Sequence, residues 1–189
     1  MKIGVYVGSF DPVHNGHLEI INEILKEVLV DELLVVATSD YWNKHINLSL
    51  EQRVELLEIF KSDKIRILTD NIKGELRQYT YQLLKAIQEE YLKEEDTIYL
   101  VLGADNIVKF DEWKEYQYLL DNYPFILVNR NNIDIDGYMR KYGKEDYMIL
   151  KLAPMDISST YIRENIADYD KIKDMIDIRV YEKIRGFGF

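Results

Sequence analysis

Short apolar runs of strand character alternate along this chain with stretches whose apolar residues recur every three to four positions. That alternation admits little other than a sheet wrapped by helices. Residues Lys2 to Gly8 read as a buried strand, and Gly16 to Leu29 follows with Leu18, Ile21, Ile24 and Leu25 at helical spacing. Leu33 to Thr38 is a second apolar run, and Ser49 with Gln52 three positions later forms a capping-box signature before a helical stretch ending near Phe60. The pattern predicts further strands over Ile65 to Leu68, Thr97 to Leu102, Phe125 to Val128 and Met148 to Leu152. Helices are predicted over Thr80 to Leu92 and Asp111 to Leu120, with two more helical segments after the last strand. Strands apolar on both faces belong to parallel sheets covered on each side, so the expected fold is a single α/β domain, 1–189, with a doubly wound parallel sheet. The polar tracts at Asp40 to Asn47 and Asn131 to Gly137 read as mobile loops.

With 189 residues, 47% of them hydrophobic, the chain encloses one sizeable core without staples. It has no cysteine, which excludes disulfides, thiolate metal sites and cysteine nucleophiles and fits a reducing compartment, with the cytoplasm as the expectation. The apolar start, MKIGVYVGSF, is too short for a signal-peptide core or a membrane span. Thirty-four acidic against twenty-four basic residues give a formal charge of −10. Such a surface repels nucleic acid and anionic membranes, so neither is an expected partner, and a polyanionic ligand needs a local cationic pocket.

The stretch Gly8-Ser9-Phe10-Asp11-Pro12-Val13-His14-Asn15-Gly16-His17 lies between the first strand and the first helix, where open α/β sheets bind ligands. Gly8 allows a tight turn, Pro12 stiffens the loop, and Gly16 leaves room beside the backbone at the helix start. Amides exposed there are expected to point toward an anion. His14 and His17, three positions apart, lean to the same side of a first helical turn. Paired imidazoles suit a phosphoryl group that gains charge in a transition state. As structure alone, these residues would only shape the turn. The loop is neither a G-x-G-x-x-G fingerprint nor a Walker loop. Ser158, Ser159 and Thr160 at a late helix start offer hydroxyls and amides, and Arg163 offers a fork for phosphate oxygens.

The first loop resembles the H-x-G-H signature of the nucleotidylyltransferase family, and Ile157-Ser158-Ser159-Thr160-Tyr161-Ile162-Arg163 resembles that family's I-S-S-T-x-I-R. The resemblance implies a Rossmann-like nucleotidylyltransferase fold in which the helical segment 157–189 completes an ATP site. Gly103-Ala104-Asp105, Trp113 and Tyr79-Thr80 resemble segments of the branch that adenylylates nicotinate mononucleotide. Implied catalytic residues are His14, His17, Arg163 and Lys44. Implied ATP contacts are Gly8, Ser9, Phe10, His14, Gly16, His17, Gly103, Asp105, Ile157, Ser158, Ser159, Thr160 and Arg163. The acceptor, a mononucleotide phosphate, is implied to meet Asp11, Lys44, Tyr79, Thr80, Trp113 and Arg130. Magnesium is expected to arrive with ATP, no protein metal cage is expected, and a homo-oligomer is left open.

Two departures stand out. The usual P-P-H-K segment is replaced by Ser39-Asp40-Tyr41-Trp42-Asn43-Lys44-His45, and Gln78 replaces the serine before Tyr79-Thr80. The first loop also resembles phosphopantetheine adenylyltransferase, and a non-catalytic ATP-binding sensor is the reading from another class. In a sheet ordered 3-2-1-4-5, the His14 loop and the Asp105 loop would face one crevice.

Overall fold

Runs of consecutive apolar residues mark strands buried on both faces, and in the computed structural model those runs occupy the middle of one sheet. The structure describes residues 1–38, 47–68 and 79–188. Six strands, β1 (Lys2–Gly8), β2 (Glu32–Ala37), β3 (Ile65–Ile67), β4 (Thr97–Gly103), β5 (Phe125–Asn129) and β6 (Tyr147–Lys151), lie in the order β3-β2-β1-β4-β5-β6. Every pairing is parallel. The expected order is thus met, with β6 added beyond β5.

Successive residues of each central strand feed opposite layers. In β2, Leu33, Val35 and Ala37 enter the core beneath α1 (Asn15–Lys26) and α2 (Leu50–Leu57), whereas Leu34 and Val36 enter the other. The first layer is completed by α7 (Ser159–Glu164), α8 (Tyr169–Ile172) and α9 (Ile178–Gly186), through Ile162, Ile172, Val180 and Ile184. The second is built from α3 (Thr80–Tyr91), α4 (Ala104–Ile107), α5 (Tyr116–Asn122) and α6 (Ile135–Lys141), through Leu84, Ile107, Leu119 and Met139. The doubly wound expectation holds. Gly4 of β1 leaves room for its cross-strand partner in β2, since a Cβ there would meet Leu33 Cδ1 at 2.7 Å.

Three expectations need correction. The single helix over Asp111 to Leu120 is instead a 3₁₀ turn at Phe110–Glu112 followed by α5, with Glu115 between them at φ 55°. The loop over Asn131 to Gly137 runs into α6, because Asp134 Oδ1 accepts from the Gly137 N–H at 3.0 Å and caps a helix whose glycine obscured it. The chain after β6 forms three short helices rather than two. The tract at 39–46 lies outside the described residues. No described helix is long and apolar enough to cross a membrane.

Candidate active site

In a parallel sheet all strands deliver their following loops to one edge, and those after β1, β4 and β5 emerge here side by side. His14 is the residue preceding α1 and has extended backbone. Its N–H donates to His17 Nδ1 at 3.2 Å, and the two rings stack with centroids 3.7 Å apart and planes 22° from parallel. A neutral His17 whose Nδ1 accepts this bond carries its proton on Nε2, where it can donate to a ligand. Burial pushes the His14 imidazole down to about 4, with Arg130 adding to the effect. Burial likewise holds His17 well below the ordinary histidine range, followed by the influence of His14 and then Arg130. Both rings are therefore neutral at pH 7. His14 Nδ1 is buried and has no hydrogen-bond partner among the described residues.

Phe10 supports this pair from behind rather than lining an open site. It is 1% exposed at φ 48°, with its ring edge-on to His17 at 4.9 Å and to Tyr6 at 5.3 Å. Gly8 makes the fold-back possible, because a Cβ there would lie 3.0 Å from the Phe10 ring. The amides of α1 are less available than the sequence suggests. The Asn15 N–H donates to Met175 O at 2.8 Å and the His17 N–H to His14 O at 2.8 Å. Asn15 Nδ2 also donates to Asp174 O at 3.0 Å, so the approach to α9 covers the first turn of α1.

Two segments about 150 positions apart are bonded to each other directly, as their separations of 147 and 152 residues record. Ser159 Oγ donates to Pro12 O at 3.1 Å, and Arg163 Nη1 donates to Asp11 O at 2.6 Å. Arg163 Nη2 donates to Thr160 Oγ1 at 3.1 Å, and Ser158 caps α7 by accepting from the Tyr161 N–H at 3.1 Å. Ile157 packs against the first core. The Asp11 carboxylate, expected at the acceptor, is turned toward partners within the protein. It is 2% exposed, its oxygens accept from the Asn47 and Leu48 N–H groups at 2.9 and 3.0 Å, and Oδ2 lies 3.4 Å from Arg163 Nη1. A buried carboxylate with three such partners has little capacity left for a ligand.

Arg130 follows β5, yet its guanidinium reaches past β4, a span of about 10 Å at normal strand spacing, to the first turn of α1. Nη2 donates to Gly16 O at 2.7 Å and to Glu19 Oε2 at 2.9 Å. Burial raises the Tyr6 phenol above its ordinary range, with Arg130 opposing and Asp105 reinforcing the shift, so these charges share one neighbourhood. The exposed Asp105 carboxylate folds back over Gly103, where a Cβ would meet its Oδ1 at 2.5 Å. A cavity of about 290 Å³, lined by Asn129, Ile133, Asp134, Lys151 and Leu152 among others, opens at the ends of β5 and β6. Trp113 is half-buried on Phe110, centroids 5.2 Å apart, in the second layer. Tyr79, which precedes Thr80 at the start of α3, donates its N–H to Gln82 Oε1 at 3.2 Å. Lys44, His45 and Gln78 lie outside the described residues.

Residues 5–165 match the family model described as cytidylyltransferase-like. The chain belongs to the cytidylyltransferase-like family. Among relatives of this cytidylyltransferase-like chain, a probable nicotinate-nucleotide adenylyltransferase of Flavobacterium psychrophilum is 32% identical, covering 100% of this chain and 98% of the relative. One of Acholeplasma laidlawii is also 32% identical, over 96% and 98%. The Plasmodium falciparum nicotinic acid mononucleotide adenylyltransferase, solved with NaAD, superimposes with a TM-score of 0.82 at 25% identity, covering 100% of this chain and 96% of that one. The family resemblance drawn from the two motifs therefore holds.

Sequence reasoning missed Arg53. Fully buried on α2, it donates from Nη1 to Ser9 O at 2.7 Å and Thr38 O at 2.8 Å, and from Nε to Leu48 O at 3.2 Å. It thereby ties the loop after β1 to the end of β2 and the approach to α2. The only signal was an arginine directly before the apolar Val54, against the usual exposure of that residue type. Asn15 and Glu19 were missed for lack of any signal.

Proposed function

We propose that this cytidylyltransferase-like chain transfers the adenylyl group of ATP to nicotinate mononucleotide, forming nicotinate adenine dinucleotide and releasing pyrophosphate. The observation that carries the reading is the direct bonding of the two motifs, Ser159 to Pro12 and Arg163 to Asp11, beside a stacked histidine pair. The named relatives and the Plasmodium structure support nicotinate mononucleotide over phosphopantetheine as the acceptor.

A phosphate oxygen of the acceptor attacks the α-phosphorus of ATP in line. The P–O bond to the β-phosphate breaks, and its electrons leave with pyrophosphate. The nucleophile is already ionised, so no general base and no covalent enzyme intermediate are required. The chain's contribution is position and charge. His17 donates from Nε2, His14 lies stacked on it, and Arg163 with the start of α7 receives the polyphosphate. Residues 157–189 thus complete the ATP site. Asp11 acts by holding Arg163 and the 47–48 backbone, and Phe10 by backing His17. Asp105 takes the ribose or adenine side of ATP, while Tyr79, Thr80, Trp113 and Arg130 serve the acceptor, with Lys44 joining the phosphates. Two imidazoles and two guanidiniums form a donor set for phosphate oxygens, so magnesium belongs to the ATP substrate, whose charge it offsets. The cysteine-free composition suits the cytoplasm.

Pyrophosphate release with ATP and a panel of nicotinate mononucleotide, nicotinamide mononucleotide and phosphopantetheine tests the reading. Release with the nicotinate nucleotide is expected. Binding of ATP without release for any acceptor would make the chain a sensor and overturn it.

A further inference from the structure

Glu19 lies one turn along α1 from Gly16, with its side chain 30% exposed, and its Oε2 accepts from Arg130 Nη2 at 2.9 Å. The same nitrogen donates to Gly16 O at 2.7 Å, so one end of the guanidinium is held by two acceptors. Gly16 has no side chain to keep the groups apart. Arg130 Nη1 and His14 Nδ1 each lie 3.1 Å from where its Cβ would be. Guanidinium and imidazole therefore share one hollow over the Gly16 α-carbon. Arg130 Nε and His14 Nδ1 are both buried there without a hydrogen-bond partner among the described residues.

A long side chain reaching across a neighbouring strand loses rotamer freedom when it is held, and only a fixed anchor keeps its charge in one place.

We infer that Glu19 is a positioning residue for adenylyl transfer: through Arg130, its carboxylate fixes a guanidinium beside His14, so that an incoming phosphate meets cation and imidazole together. Glu19 itself does not touch substrate. The inference rests on the adenylyltransferase reading above.

The test is a double-mutant cycle. Pyrophosphate release with ATP and nicotinate mononucleotide is measured for the parent, Glu19→Ala, Arg130→Ala and the double variant, with melting temperatures alongside. Glu19→Ala is expected to lower kcat/KM about tenfold in the parent, with little change in melting temperature, and to change it less than about twofold once Arg130 is alanine. Glu19→Gln, which keeps an acceptor oxygen, is expected to recover most of the loss. An equal cost in both backgrounds, or no cost in the parent, overturns the inference. A parent that releases no pyrophosphate overturns the adenylyltransferase reading and this inference with it, whereas an active parent with additive losses overturns the inference alone.

Discussion

The backbone N–H of His14 is bonded to Nδ1 of His17 while the two rings stack 3.7 Å apart, so one residue fixes both the tilt and the proton position of the other. With Nδ1 occupied and Phe10 edge-on at 4.9 Å, the His17 ring has one outlet, the Nε2 proton. Replacing His17 with alanine removes that donor and the ring on which His14 rests. Turnover is expected to fall roughly a hundredfold, the usual scale for a lost charge-stabilising donor. Steady-state kinetics with circular dichroism to verify the fold checks this. Unchanged turnover in a folded variant removes His17 from the mechanism.

The same burial makes the free protein sensitive to acid. The His14 pKa is depressed to about 4 in the folded protein, while in the unfolded chain it is about 6.5. Between those values the unfolded state binds the extra proton, so stability is full above pH 6.5 and declines as pH falls toward 4. The loss attributable to His14 by pH 5 is on the order of 2 kcal/mol. His14→Gln is expected to flatten the fall in denaturation midpoint between pH 7 and pH 5. Parallel pH profiles for the two proteins would show that His14 is not the group responsible.

Beside its proposed role at the polyphosphate, Arg163 contributes to structure, because its Nη1 holds Asp11 O at 2.6 Å. A hydrogen bond from a charged donor contributes about 1.5–3 kcal/mol. Arg163→Ala is therefore expected to lower the melting temperature by several degrees and to weaken ATP binding at least tenfold, as read by calorimetric titration. Equal ATP affinity in the variant would refute its role at the polyphosphate.

The fold was legible where burial and periodicity coincide. Residues such as Leu33 to Ala37, apolar without interruption, can be satisfied only between two helical layers, whereas the strand order came with the doubly wound fold class rather than from these residues. The break between Phe110 and Tyr116 was hidden because Glu115 at φ 55° leaves no mark in residue type. Within the site, histidine spacing exposed the pair, but long-range bonds such as Arg53 to Ser9 O and Arg130 to Gly16 O end on backbone carbonyls, which every residue possesses. The partners of Asp11 were hidden likewise, since two of them are the backbone amides of Asn47 and Leu48.

Gly16 separates two effects that act in opposite directions. It stands in the first turn of α1, where alanine is favoured over glycine by about 1 kcal/mol in a helix. An added Cβ, however, would lie 3.0 Å from His14 Cε1 and 3.1 Å from Arg130 Nη1. Those groups must yield by a few tenths of an ångström, and the strain offsets much of the helix gain. Stability is thus expected to change little, with a melting temperature within a few degrees of the parent. His14 cannot move without altering its stack on His17, and Arg130 cannot move without loosening its bonds to Gly16 O and Glu19. Gly16→Ala is therefore expected to lower turnover on the order of tenfold while the fold persists. A more stable protein with undiminished turnover would show that the placement of His14 and Arg130 over this glycine does not matter to the reaction.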